Sequence, residues 1–218
     1  MNSNIQTRPC DPPALSAASR SYPPAKDTLD EALISRIGTG DRAAMTVLYT
    51  RYSVRVHRFI MRLVGNHAVA EELVSEVFLD VWRKAGEFEH RSQVSTWLLA
   101  VARHKALTAL RRPSSEPLNI DAAELIEDPA DNAEVTADRK KRSAVLHNCL
   151  AQLSPAHREV IDLVYYHERT ISEVATILGI AQNTVKTRMF YARKRLETLL
   201  CSQGIATARD GEGLMWLH

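Results

Sequence analysis

Glycine is scarce in this 218-residue chain, with eight residues in all, and stretches of alternating Val, Ile and Thr are scarcer still. Both shortages argue against a strand-rich fold and for a mainly helical protein. Cysteine is limited to Cys10, Cys149 and Cys201, which are far apart, odd in number and in no CxxC arrangement. That excludes a disulfide framework or a zinc knuckle and suits a reducing compartment. His147 and Cys149 lie close in sequence, and the pair reads as a buried helix cysteine beside a surface histidine. No apolar run approaches the roughly 20 residues of a membrane span, so no membrane insertion is expected. The N-terminus lacks the apolar core of a secretory signal, so a cytoplasmic location is expected. No catalytic triad, metal cluster or phosphate-cradling loop is visible, so neither an enzyme nor a cofactor is expected. What is present, a 45% hydrophobic and 25% charged composition, is ordinary for a globular protein.

The formal net charge of +2 hides a pattern. Residues 41–114 hold twelve Lys/Arg against seven Asp/Glu, and residues 138–200 hold eleven against six. Between them, residues 115–137 carry Glu116, Asp121, Glu124, Glu127, Asp128, Asp131 and Glu134 with no Lys or Arg. Two basic modules joined by an acidic strap imply two separate contacts with a polyanion.

Residues 1–27, rich in Pro, Ser and Ala, read as a disordered tail. Thr28 to Glu31 has the form of a capping box, so a short helix is expected from there to Gly38. Asp41 is placed to cap a second helix that runs to about Val64 and is broken by Gly65-Asn66. In the next helix Ala70, Leu73, Val74, Val77, Phe78, Val81 and Trp82 recur at helical spacing. Leu79 falls off that stripe among Glu72, Glu76 and Asp80. Two readings stand for it: a lone exposed leucine, or the centre of a face for a basic partner helix.

After a polar connection, a helix from Thr96 to Arg112 is expected, with Trp97, Leu98, Val101, Ala102, Leu107 and Leu110 inward. Arg103, His104, Lys105, Arg111 and Arg112 make its other surfaces basic, and Pro113 stops it. Phe88, His90, Arg91 and Trp97 supply the π faces and cations that single-stranded bases require, although Trp97 also fits a core position. The strap from 114 to 137 reads as an extended linker that is either a nucleic-acid mimic or a plain tether. Helix resumes near Asp138, and Ser154-Pro155 marks a further helix start. The tail after Leu200 ends in Leu214-Met215-Trp216-Leu217.

Residues 170–195 carry the sharpest signal. Thr170 to Glu173 forms a second capping box, Val174, Ala175, Ile177 and Leu178 give an apolar face, and Gly179 supplies a turn. A second helix follows with Val185, Met189, Ala192 and Leu196 on one stripe. Asn183, Lys186, Thr187, Arg188, Lys194 and Arg195 are left for base edges and phosphates, as in a DNA-binding helix-turn-helix.

Four segments together, AEELVSEVFLDVWRK (70–84), STWLLAVARHKALTALRR (95–112), LSPAHREVIDLVYYHERTISEVATILGI (153–180) and NTVKTRMFYARKRL (183–196), resemble bacterial sigma factors of the extracytoplasmic-function (ECF) group in content, order and separation. The resemblance implies an all-α chain with sigma region 2 at 28–113, an acidic linker at 114–137 and a helix-turn-helix sigma region 4 at 138–200, flanked by tails at 1–27 and 201–218. It implies that Glu72, Glu76, Leu79 and Asp80 dock on the β′ clamp helices of core RNA polymerase, with the β flap as a further contact. It assigns −10 recognition and melting to Phe88, Arg91, Arg103, His104, Arg111 and Arg112, and −35 recognition to Gln182, Asn183, Thr184, Lys186, Thr187, Arg188 and Lys194. Promoter DNA, duplex and single-stranded, and an anti-sigma factor are the other partners implied, in a stress or environmental response.

The chain departs from the family pattern at His104, where Asn is common, at Thr108 for Asp, at Asn183 for Gly and at Ala181 for Ser. Loss of the serine removes a usual helix cap. Two rival functions remain: a stand-alone regulator that binds duplex DNA as a dimer, and an adaptor whose basic helices bind an acidic protein.

Overall fold

The central helix of the first unit begins where a side chain takes up orphan backbone N–H groups and ends where the backbone turns left-handed. A computed structural model describes residues 24–111 and 143–203, and every regular element among them is helical. α1 (Pro24–Gly38), α2 (Arg42–Val64), α3 (His67–Lys84) and α4 (Val94–Arg111) form the first unit. Asp41 caps α2 by accepting from the backbone N–H groups of Ala43 and Ala44 at 2.8 and 3.1 Å, and Gly65 closes it at φ 69°. Asn66 then caps α3 through the Val69 N–H.

α2 is the central helix and packs against α1, α3 and α4. Leu48, Val56, Phe59 and Ile60 of α2 meet Val77 and Val81 of α3 and Leu98, Leu99 and Ala102 of α4 in a dry core. Asp30 of α1, itself buried, accepts from Arg51 and the Tyr52 hydroxyl of α2. Gly38 lets α1 end against the short 3₁₀ turn Ala85–Glu87 that follows α3: a Cβ there would stand 3.0 Å from the Gly86 Cα. This contact fixes where the loop into α4 begins.

The second unit comprises α5 (143–151 of the described residues), α6 (Pro155–Ile161) with a π turn over Asp162–Tyr166, α7 (Ile171–Leu178) and α8 (Gln182–Ser202). Ser154 and Pro155 start α6 as the sequence predicts, with Ser154 accepting from the His157 N–H. The capping box at Thr170 and Glu173 forms in full, and Gly179 ends α7 at φ 66°. Val185, Met189, Ala192 and Leu196 are all buried, and Leu199 and Leu200 extend the stripe.

Several expectations are corrected. α1 starts at Pro24, four residues ahead of the start expected at Thr28. α4 starts at Val94 and its described part ends at Arg111; Val94, Ser95 and Thr96 are already buried. Within it Leu110 is exposed and Leu99 takes the inward place instead, because the core-facing stripe is rotated toward Leu98, Ala102 and Ala106. His147 is half-buried rather than superficial, and burial first, then the nearby Arg62 charge, lowers its pKa. Most of the tails, the linker at 114–137 and Arg112 lie outside the described residues.

The two units pack together through α4 and α7. Arg169, which is 6% exposed, donates to the Ser95 hydroxyl at 2.7 Å, the Gln93 side-chain oxygen at 3.2 Å, Glu173 at 2.9 Å and the His167 carbonyl at 2.7 Å. The Thr96 hydroxyl donates to the same Glu173 carboxylate at 2.8 Å. Arg62 of α2 pairs with Asp162 and lies 3.8 Å over the Tyr166 ring, while Phe59 meets the buried His167 edge-on at 5.2 Å.

Candidate nucleic-acid and polymerase-facing surfaces

The helical period of α3 buries Leu73, Val74, Val77 and Phe78 and turns Leu79 outward at 47% exposure. Glu72 is exposed beside it, and Glu76 and Asp80 are half-buried. Lys105 of α4 reaches both of the latter, its Nζ lying 3.1 Å from Glu76 and 3.0 Å from Asp80. Burial alone would lower the Lys105 pKa, but the two carboxylates outweigh it and the net shift is upward. Lys105 therefore ties α4 to α3 instead of adding to a basic DNA-facing surface. Leu79 and Glu72 remain exposed beside this paired edge.

The loop before α4 gathers aromatic rings. The Phe88 ring stands 4.9 Å from His90, edge-on, and 5.0 Å from Trp97, tilted at 45°. Trp97 is half-buried and packs on the core, so it supports the cluster while keeping one edge open. His90 holds φ 53°, a left-handed conformation that is uncommon for a residue with a Cβ. Arg91 is exposed and pairs with Glu89 at 2.7 Å. His104 and Arg111 are exposed on α4. Arg103 is different: it makes a two-pronged pair with Glu159 of α6, at 2.6 and 3.3 Å.

α8 presents Gln182, Asn183, Thr184, Lys186, Thr187 and Lys194 to solvent, with Arg188 half-buried. Gln182 also donates to the Ser172 hydroxyl at 3.3 Å, which braces the turn between α7 and α8. Sequence reasoning missed Phe190, 63% exposed, and Tyr191 beside it, with ring centroids 5.4 Å apart. An apolar residue off the buried stripe was the available signal. Phe190 borders a groove of ≈ 610 Å³ floored by Ile171 and Met189 and edged by Lys186, Arg193 and Lys194. A cationic helix with short polar residues in its first turns and an open face can enter a major groove.

Ala181 occupies the N-cap of α8 with no side chain to satisfy the first-turn N–H groups. Ala181→Ser is expected to stabilise the fold by about 1 kcal/mol, read as a higher midpoint in denaturant. No gain would mean that solvent already satisfies those groups.

Comparison with known proteins bears on the same segments. The family model for Sigma-70 region 2 matches residues 48–116, which include most of α2 and all of α3 and the described part of α4. The model for Sigma-70, region 4 matches residues 149–197, which cover the helix-turn-helix. The ECF RNA polymerase sigma factor SigK of Mycobacterium tuberculosis is 30% identical over 188 residues, covering 82% of this chain and 97% of that protein. The chain belongs to the ECF sigma factors of the sigma-70 family. The RNA polymerase sigma factor CarQ of Myxococcus xanthus is 30% identical over 178 residues, covering 81% of this chain and 100% of its own length. Among solved structures, the sigma factor RpoE of Bartonella quintana in complex with the anti-sigma factor NepR shares the fold at a TM-score of 0.58. It is 24% identical over 72% of this chain and 96% of that one.

As an ECF sigma factor the protein serves transcription initiation with RNA polymerase and binds DNA. Its region 2 contains α2, α3 and α4, and its region 4 contains the helix-turn-helix of α7 and α8. Among the described residues no helix is long and apolar enough to cross a membrane.

Proposed function

We propose that this sigma factor docks on the β′ clamp helices of core RNA polymerase through Glu72, Leu79 and the Glu76–Asp80 edge, contacts the β flap, and directs the enzyme to promoters in a stress or environmental response. In this reading, region 2 spans about 28–113, the acidic stretch 114–137 is a linker, and region 4 spans about 138–200. α8 reads the −35 element in duplex DNA, while the Phe88 loop and α4 capture the unpaired −10 strand. The chain performs no covalent chemistry itself, and it works in the cytoplasm, where an anti-sigma factor restrains it. Support for that last partner comes from relatives such as the Bartonella RpoE, which is held by NepR.

The observation that carries the reading is the pairing of two distinct surfaces in one chain. An open recognition helix suits duplex DNA, and a ring cluster beside cations suits bases taken out of the stack, where each contact offsets part of an unstacking cost of a few kcal/mol. A stand-alone regulator would use only the first. The deciding experiment is run-off transcription with purified core polymerase. Promoter-specific transcripts from the chain plus core are the expected result. A requirement for a second sigma factor would favour the regulator, and no transcript would favour the adaptor.

Within region 4, Lys186→Ala and Arg188→Ala are expected to weaken promoter binding on all sequences and flatten its salt dependence. Asn183→Ala and Thr187→Ala should instead change preference at particular −35 positions, by roughly 1–3 kcal/mol for a good base contact. Equal losses on every −35 variant for all four substitutions would contradict the division. Within region 2, Arg91→Ala and His104→Ala should lower transcription from a duplex promoter more than from one already mismatched at −10. A premelted template removes the unpairing cost these residues help to offset. Equal loss on both templates would place the −10 site elsewhere.

A further inference from the structure

The buried stripe of α8 accounts for Val185, Met189, Ala192 and Leu196, and its short polar and cationic residues are those assigned to base edges and phosphates. Phe190 and Tyr191 belong to neither group. They are 63% and 53% exposed, and their rings meet edge-on. A single surface aromatic is ordinary, but a pair beside a concave face marks an interaction site. Phe190 borders the ≈ 610 Å³ groove floored by Ile171 and Met189, a volume that takes in several side chains of a peptide. Lys186, Arg193 and Lys194 stand on its rim against one carboxylate, Glu197. The groove therefore fits an occupant that is apolar and carries a small excess of negative charge.

One segment of the chain has that chemistry. Residues 210–217 read DGEGLMWL, two carboxylates followed by four consecutive apolar residues. We propose that this segment returns along α8 and seats residues 214–217 in the Phe190 groove, with Asp210 and Glu212 toward the cationic rim, in competition with duplex DNA. The competition rests on the assignment of −35 contacts to Lys186 and Lys194. Seating the four apolar side chains on Phe190, Ile171 and Met189 removes both surfaces from water, with Trp216 as the anchor. The reach is sufficient. α8 is described to Ser202, and the twelve residues from Phe190 to Ser202 make about 18 Å of helix. Residues 203–213 can span up to about 36 Å, so the segment comes back to the groove with slack. A tether of this length gives an effective concentration on the order of millimolar, which a second copy at micromolar concentration does not match. With the segment in place, Lys186 and Lys194 face its carboxylates, and a phosphate must displace them to bind.

The test uses the full chain without polymerase. With benzoylphenylalanine in place of Trp216, ultraviolet light bonds that side chain to whatever it touches, and mass spectrometry of the monomer band locates the bond. The expected product joins position 216 to the peptide that holds Met189 and Phe190. No bond, or bonds only to other parts of the chain, overturns the docking. Bonds confined to a dimer band give the groove to a second copy and overturn it as well. Fluorescence anisotropy with a mixed-sequence duplex measures the competition. Leu214→Ser combined with Trp216→Ser is expected to bind the duplex about tenfold more tightly than wild type, a usual size for coupling between two sites. The same pair should give no gain when Phe190→Ser is already present. Phe190 is outside the core, and far-UV circular dichroism checks that each variant is folded. Equal affinity for wild type and the tail variant overturns the competition, and a full gain on the Phe190→Ser background overturns the groove as its site. The −35 assignment fails separately, whatever the cross-link shows, if Lys186→Ala leaves duplex binding unchanged.

Discussion

Arg169→Met is expected to destabilise the fold by about 3 kcal/mol or more, because it strips a buried network of its guanidinium and leaves the partners uncompensated. The guanidinium serves four acceptors from two regions of the chain. A methionine fills the volume but donates nothing, so the Ser95 hydroxyl, the Gln93 oxygen and the His167 carbonyl lose a donor together. Equilibrium denaturation of wild type and variant measures the difference. A loss under about 1 kcal/mol would place Arg169 with ordinary exposed pairs.

The same network sets a pH dependence. Burial raises the Glu173 pKa, but the Thr170 backbone and hydroxyl, the Thr96 hydroxyl and the Arg169 charge together outweigh it, leaving the net value below the ordinary 4.5. Because the folded pKa lies below the unfolded one, Glu173 contributes stability above the ordinary carboxylate range and loses it as pH falls through the depressed value. Glu173→Gln should flatten the acid limb of the stability profile.

Leu79→Arg combined with Asp80→Arg should weaken binding to core polymerase by about 2 kcal/mol or more, the size of an interface hot spot, or roughly 30-fold in Kd. Leu79 is outside the core, so far-UV circular dichroism should be unchanged. Asp80 also holds Lys105, and Asp80→Asn alone reports that contribution. A titration that finds unchanged affinity for the double variant returns Leu79 to the class of scattered surface leucines.

Local interactions made much of this protein legible in one dimension. The Thr170–Glu173 capping box, the αL glycine at 179, the Ser154-Pro155 start and the buried stripe of α8 each depend on residues within a few positions of one another. Spacing alone therefore determines them, and with them the helix-turn-helix. The outward turn of Leu79 followed from the helical period in the same way, since the neighbouring stripe had to face the core.

Pairings across long sequence separations could not be read so. Arg103 and Lys105 both counted as basic surface, yet folding gives the first to Glu159, fifty-six residues away, and the second to Glu76 and Asp80. A charged residue shows its sign in sequence but not which opposite charge the packing brings within reach. The rotation of α4 that buries Leu99 and exposes Leu110 was also beyond periodicity, because both leucines fit a helical pattern. The choice belongs to α2 and α3, whose side chains fill the space on one side of α4 only. That same rotation, and the docking of α7 on Ser95 and Thr96, covers one side of α4 and leaves α8 open.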